Sequence, residues 1–155
     1  MRDMPRWLLG MILICLGAAV ASAQSARVVA YEIVNGREIP ASLTGEEGDP
    51  EAGRTLYFDR EATGCSGCHG SPGGPGAQPD TDGEPAPVLA GIASRMTEGT
   101  MRLWLVAPEV LNPETAMPAY YRIGQRDDPN DPRFGETRLS AAEIESLIAY
   151  LKRQK

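Results

Sequence analysis

The chain has few of the side chains from which metal and redox sites are usually built. Its 155 residues include three cysteines and one histidine. A structural zinc ion takes four protein ligands, and no second Cys/His pair exists to complete such a set. The single histidine also excludes two imidazoles from this chain on one metal ion. Any metal site built on both cysteine and histidine must therefore centre on one short stretch of sequence.

Positive charge is scarce as well. Fifteen Lys and Arg residues face 21 Asp and Glu residues, giving a formal net charge of −6. Proteins that bind nucleic acids gain much of their affinity by neutralising phosphates with basic side chains. Nucleic acid is therefore not an expected partner. A basic partner protein is compatible with this charge, although a negative balance commonly serves solubility alone.

A single long apolar run lies at the N-terminus. Arg2 and Arg6 provide a positive start, the apolar stretch extends over residues 7–20, and Ala21-Ser22-Ala23 forms a small-residue cleavage site. The run is shorter than the roughly 20 apolar residues of a membrane span. We therefore expect residues 1–23 to be a cleaved export signal, leaving a periplasmic protein with no membrane attachment.

Cys15 lies inside that apolar run and raises the alternative of a lipoprotein signal. Such a signal needs a small residue before the cysteine, whereas this chain has Ile14 there. Cleavage after Ala23 removes Cys15 and makes the net charge one unit more negative. Cys65 and Cys68 are then the remaining thiols.

The sequence Cys65-Ser66-Gly67-Cys68-His69 is the attachment pattern of c-type haem. Two thiols at this spacing form thioethers with the haem vinyl groups, and the histidine that follows coordinates the iron. The alternatives are a zinc or redox C-x-x-C with an unrelated histidine, and the lack of further ligands argues against zinc. We predict one covalent haem c on Cys65 and Cys68, with His69 as an iron ligand.

The remaining sequence predicts a chain of helices joined by long loops. Residues 24–48 indicate an N-terminal arm, and residues 49–155 a single all-α domain. Helices are expected from Asp49-Pro50 to about Asp59, over 98–107 after Thr97, and after the Ser140 capping box. Glycine and proline exclude regular structure from 70–87. The polar stretch 126–133 is interpreted as a solvated loop rather than a partner contact.

The second iron ligand is expected to be a methionine thioether, which favours ferrous iron relative to a second imidazole. Met96 flanks the start of a helix, and Met101 belongs to an apolar helical stripe, where methionine commonly fills a core. Met117 lies in a loop well past His69, beside the stiffening Pro118. We favour Met117 over Met96 and Met101, with an open or water-bound site as the other alternative.

These motifs together resemble class I cytochromes c. The resemblance rests on Gly53 and Tyr57 in the first helix, the haem motif, Pro87-x-Leu89-x-Gly91, Met117-Pro118, and the terminal helix with Tyr150. It implies that the first and last helices cross at Gly53, Tyr57 and Tyr150. It also implies that the Pro87 carbonyl accepts a hydrogen bond from the ligand histidine, which would fix the ring's orientation.

A narrower resemblance extends over nearly the whole mature chain. The segments 39–45, 48–54 and 111–121 and the long stretch before the last helix are similar to SoxX, the monohaem subunit of sulfur-oxidising SoxAX complexes. That resemblance implies a heterodimer with a SoxA-type cytochrome that joins thiosulfate to a carrier-protein cysteine. It further implies a non-catalytic subunit of an L-cysteine S-thiosulfotransferase complex, which passes electrons to a soluble acceptor.

Two other functions stay open at this point. One is a free-standing class I electron shuttle, and the other is a haem subunit of an unrelated dehydrogenase or terminal oxidase. A free-standing shuttle needs no obligate interface. We therefore expect the arm and the segment 126–133 to discriminate between a shuttle and a subunit of a complex.

Overall fold

The computed structural model describes residues 28–72, 86–123 and 135–154. Four α-helices form the framework: α1 Pro50–Phe58, α2 Cys65–His69, α3 Glu98–Val106 and α4 Ala141–Lys152. Two 3-10 turns, Ile92–Ser94 and Pro108–Val110, flank α3. Within the described ranges, β-structure is confined to two isolated bridges. The all-α prediction is confirmed for this part of the chain.

Short-range signals in the sequence determine where the helices begin. The side chain of Asp49 accepts a hydrogen bond from the Glu51 amide, with Pro50 at the first helical position. Before α4, Ser140 and Glu143 form the reciprocal capping box that the sequence indicates. Thr97 caps α3 through the amide of Thr100. The predicted starts are therefore correct, and the two predicted ends, near Asp59 and at 107, lie within a residue of Phe58 and Val106.

The first and last long helices cross at glycine. A Cβ atom on Gly53 would lie 1.9 Å from the carbonyl oxygen of Ser146 and 2.9 Å from the Cβ of Tyr150. The rings of Tyr57 and Tyr150 meet beside this point, with centroids 5.4 Å apart. The crossing predicted at Gly53, Tyr57 and Tyr150 is thus present. It works because only a residue without a side chain lets the two backbones approach so closely.

A buried ion pair, which no sequence pattern indicated, fastens α3 to α4. Arg102 Nε donates to Glu145 Oε1 at 2.7 Å, and Arg102 Nη2 donates to Glu145 Oε2 at 2.9 Å. Both side chains are almost fully buried, at 3% and 4% exposure. The two planar groups therefore meet in the bidentate geometry that is strong when the pair is shielded from water.

The segment before α1 packs into the same core. Ile39 and Leu43 are buried. Arg102 Nη1 donates to the Ile39 carbonyl at 2.6 Å, and the Leu43 amide donates to Glu145 Oε1 at 2.8 Å. Residues 28–48 thus contribute apolar side chains to the core and polar partners to the ion pair.

Three segments that the sequence singled out lie outside the described residues. They are the predicted export signal, most of the Gly/Pro-rich stretch 70–87, and the segment 126–133. Among the described helices, none is long and apolar enough to cross a membrane.

Replacing Gly53 by alanine should destabilise the protein by about 1–3 kcal/mol or more, because the new methyl group overlaps the backbone of α4. Denaturant unfolding of the holoprotein measures the free-energy change. Thr55→Ala, on the exposed side of the same helix, is the control and should change stability by less than about 1 kcal/mol. Equal effects of the two variants would show that the crossing is not as close as described.

Candidate haem-binding site

The haem motif forms a helix of five residues with glycine at both ends. Gly64 precedes α2 with φ 67° and Gly70 follows it with φ 68°, a left-handed backbone that glycine adopts without steric cost. Cys65 and Cys68 are three residues apart and so share one side of the helix. Both are free thiols, Cys65 buried and Cys68 exposed.

The environment of Cys65 affects its acidity. Burial raises the pKa of the Cys65 thiol, and hydrogen bonding to Thr63 and Tyr120 opposes this shift. The thiol is therefore neutral near pH 7, and neither cysteine is engaged in a disulfide. Both sulfur atoms are free to form a thioether.

The histidine is oriented by the backbone that follows the Gly/Pro-rich stretch. His69 Nδ1 lies 2.8 Å from the carbonyl oxygen of Pro87. A carbonyl can only accept, so Nδ1 carries the proton and donates. This hydrogen bond leaves Nε2 as the nitrogen available to coordinate a metal ion. The hydrogen bond that the resemblance implied for Pro87 is thus present.

The three candidate methionines lie in different environments. Met101 is 3% exposed and belongs to the hydrophobic core. Met96 and Met117 are partly buried and pack against the edge of that core. Met117 lies in the irregular segment after the 3-10 turn Pro108–Val110, and its amide donates a hydrogen bond to the Thr115 hydroxyl at 3.1 Å. The burial of Met101 agrees with its interpretation as a core residue.

The chemistry of this donor set fits a covalently attached haem. Two thiols at the required spacing, an imidazole with a free Nε2 and a thioether in a loop are the groups that such a cofactor uses. Leu89, Leu111 and Met117 are partly buried and pack against the hydrophobic core.

Two buried tyrosines hold the ends of α2, a feature that sequence reasoning missed. Tyr120 Oη donates to the Thr63 carbonyl at 2.7 Å, just before the helix, and Tyr57 Oη donates to the Gly70 carbonyl at 2.8 Å, just after it. Burial raises the pKa of both phenols, so both remain neutral donors. Tyr57 and Tyr120 lie 13 and 57 positions from the carbonyls they contact, so no local sequence pattern predicted these hydrogen bonds.

Comparison with known proteins agrees with this geometry. Residues 50–155 match the family Cytochrome c. Because that match spans more than half of the sequence, the chain belongs to the cytochrome c family, whose members carry haem c and transfer electrons. No curated protein matches the sequence.

Among solved structures, the chain is similar to one from the crystal structure of SoxXA from P. pantotrophus. The TM-score is 0.63 and the sequence identity is 29%, over 79% of this chain and 93% of that one. Together, the family match and this likeness bear out the resemblance to a SoxX-type cytochrome.

Intact-mass analysis after haem maturation should show the chain from Gln24 to Lys155 plus one haem that survives acid–acetone extraction. The expectation follows from two free thiols one helical turn apart beside an oriented imidazole. The double variant Cys65→Ala/Cys68→Ala is the control, and it should retain no haem after acid–acetone extraction. A wild-type mass without added haem would contradict the assignment.

Proposed function

We propose that this protein is a periplasmic monohaem cytochrome c in which His69 and Met117 would hold the iron, and that it is the electron-transfer subunit of a SoxAX-type, thiosulfate-oxidising complex. The observation that carries the site is the hydrogen bond between His69 Nδ1 and the Pro87 carbonyl at 2.8 Å. The likeness to a SoxXA structure supports the finer assignment.

Each residue of the proposed site has a defined task. Cys65 and Cys68 anchor the cofactor, and the fixed backbone of α2 sets the separation of the two thioethers. Pro87 keeps the proton on Nδ1 of His69 and increases the basicity of Nε2. The bound haem supplies a one-electron couple. A Met117 thioether raises its potential relative to a second imidazole.

The site lies at the protein surface. Cys68 and Val88 are exposed, beside the ligand histidine and its proline partner. An electron could therefore enter or leave near Cys68 and Val88 without passing through the helical core. This arrangement favours transfer to a docked redox partner over chemistry on a bound substrate.

The partner assignment follows from the chemistry of thiosulfate coupling. Joining thiosulfate to a cysteine thiol forms one S–S bond, releases the thiol proton and releases two electrons. With Cys65 and Cys68 used as thioethers and His69 and Met117 holding the iron, the described residues would offer thiosulfate no binding position on the metal. A SoxA-type subunit would perform the coupling, and this chain would relay electrons singly to a soluble acceptor.

A free-standing electron shuttle is the second candidate, and one observation favours it. The arm packs its own Ile39 and Leu43 into the core and satisfies its polar groups on Arg102 and Glu145. The arm therefore has an intramolecular role and does not by itself indicate an obligate partner. The second discriminating segment, 126–133, lies outside the described residues.

Met117→Ala should lower the reduction potential and abolish the weak near-infrared charge-transfer band of thioether-bound ferric haem, because the iron loses its soft ligand. Met101→Ala is the control. It should keep the band and cost about 2–5 kcal/mol of stability through a cavity in the core. A band that survives in Met117→Ala and disappears in Met96→Ala would show that Met96 is the ligand.

The isolated holoprotein, mixed with thiosulfate and a carrier-protein thiol, should stay oxidised, because iron held by both His69 and Met117 would have no position open to a sulfur ligand. Addition of a SoxA-type subunit should make it reducible, as followed by the visible spectrum of the ferrous form. Rapid reduction without that subunit would overturn the proposed division of labour. A SoxA-type subunit that neither binds nor reduces the protein would favour the free shuttle.

A further inference from the structure

Tyr120 lies three residues after Met117 and is only 4% exposed. Its hydroxyl donates to the carbonyl of Thr63 at 2.7 Å, two residues before the first haem-attaching cysteine. One side chain thus connects the loop of the proposed methionine ligand to the start of the attachment helix. The two segments are 57 positions apart in the sequence.

Thr63 itself is firmly held. Its hydroxyl donates to the Leu56 carbonyl at 2.6 Å, and its amide donates to the Asp59 carbonyl at 3.1 Å. The residue is 3% exposed. The Thr63 carbonyl, which accepts the hydrogen bond from the Tyr120 hydroxyl, is therefore held in place by hydrogen bonds to the C-terminal end of α1.

The backbone of Tyr120 is bonded on both sides. Its amide donates to the Leu105 carbonyl in α3 at 2.9 Å, and its carbonyl accepts from the Leu139 amide, just before α4, at 2.8 Å. The guanidinium of Arg138 lies 5.4 Å from the centre of its ring. Tyr120 is thereby the residue at which the methionine loop is joined to three separate elements.

The Thr63 contact depends on the hydroxyl group alone. In a phenylalanine at this position, the ring would still fill the core, but the buried Thr63 carbonyl would lose its donor, which is costlier than losing an exposed hydrogen bond. The loop that bears Met117 would then lose its hydrogen bond to the segment before the haem-attaching helix and keep its contacts with α3 and Leu139. The methionine would be freer to leave the iron.

We propose that Tyr120 is a positioning residue that keeps Met117 on the iron by tying its loop to the segment immediately before the haem-attaching helix. The inference rests on the proposed Met117 ligation. It extends that proposal by naming the contact that resists displacement of the ligand.

Imidazole titration of the ferric holoprotein tests the inference, because imidazole binds only when the methionine leaves. Tyr120→Phe should bind imidazole about 3- to 10-fold more tightly than wild type, as expected when one buried hydrogen bond no longer opposes ligand loss. Replacement of Tyr120 by 4-aminophenylalanine, which restores an N–H donor, should return the affinity towards the wild-type value.

Ser146→Ala is the control. Ser146 is 7% exposed, and its hydroxyl accepts a hydrogen bond from the Asp49 amide at 3.2 Å, at the crossing of α1 and α4 and not on the methionine loop. It should lower the thermal stability by removing one hydrogen bond and leave imidazole affinity unchanged. Equal gains in imidazole affinity in both variants, or none in Tyr120→Phe, would overturn the inference.

A measurement on the wild-type protein decides the question if Tyr120→Phe does not mature. Because coupling between two sites is reciprocal, imidazole binding should accelerate hydrogen exchange at the amides of Tyr120 and Leu139. The amide of Gly53, bonded to the Asp49 carbonyl in α1, should be unaffected. Unchanged exchange at Tyr120 and Leu139 would overturn the inference.

The near-infrared band separates this inference from the proposed ligation. If the wild-type protein lacks the band, the Met117 ligation and the role of Tyr120 both fall. If the band is present and Tyr120→Phe binds imidazole as the wild type does, the ligation stands and only the role of Tyr120 falls.

Discussion

The close approach of α1 and α4 at Gly53 is the constraint on which the other elements depend. A backbone contact in which even a Cβ atom would sit 1.9 Å from the Ser146 carbonyl leaves one relative position for the two helices. Tyr57 follows Gly53 by one turn, so the same crossing aims its hydroxyl at Gly70, at the end of the attachment helix. The helix contact therefore fixes the place of the haem motif as well as the core.

The Arg102–Glu145 pair extends this framework to α3 and to the arm. A buried charge pair adds little net stability by itself, because desolvation of the two ions offsets their attraction. Its effect here is positional: the remaining donors and acceptors of the pair are used by Ile39 and Leu43 of the arm. A segment that resembled an appendage in the sequence is in this way part of the core.

The proposed site combines residues on a short helix with a residue in a loop. His69 is placed by a five-residue helix between two glycines and by the Pro87 carbonyl. Met117 lies in an irregular segment whose order depends on Tyr120, on Thr115 and on the backbone of α3. An electron-transfer protein benefits from such support, because ligands that move little between oxidation states keep the reorganisation energy of electron transfer small. The cytochrome c family membership and the likeness to a SoxXA chain agree with this use.

Local signals in the sequence determined the helix starts, the haem motif and the all-α class, since caps, C-x-x-C-H and apolar periodicity each involve neighbouring residues. Gly53, Tyr57 and Tyr150 were placed at a crossing only through resemblance to a family, and the structure has them there. The sequence by itself could not pair Arg102 with Glu145, join the arm to the core, or bring the Tyr120 hydroxyl to Thr63. Those contacts join residues 43 to 102 positions apart. Only the tertiary packing decides which distant polar groups meet where water is excluded.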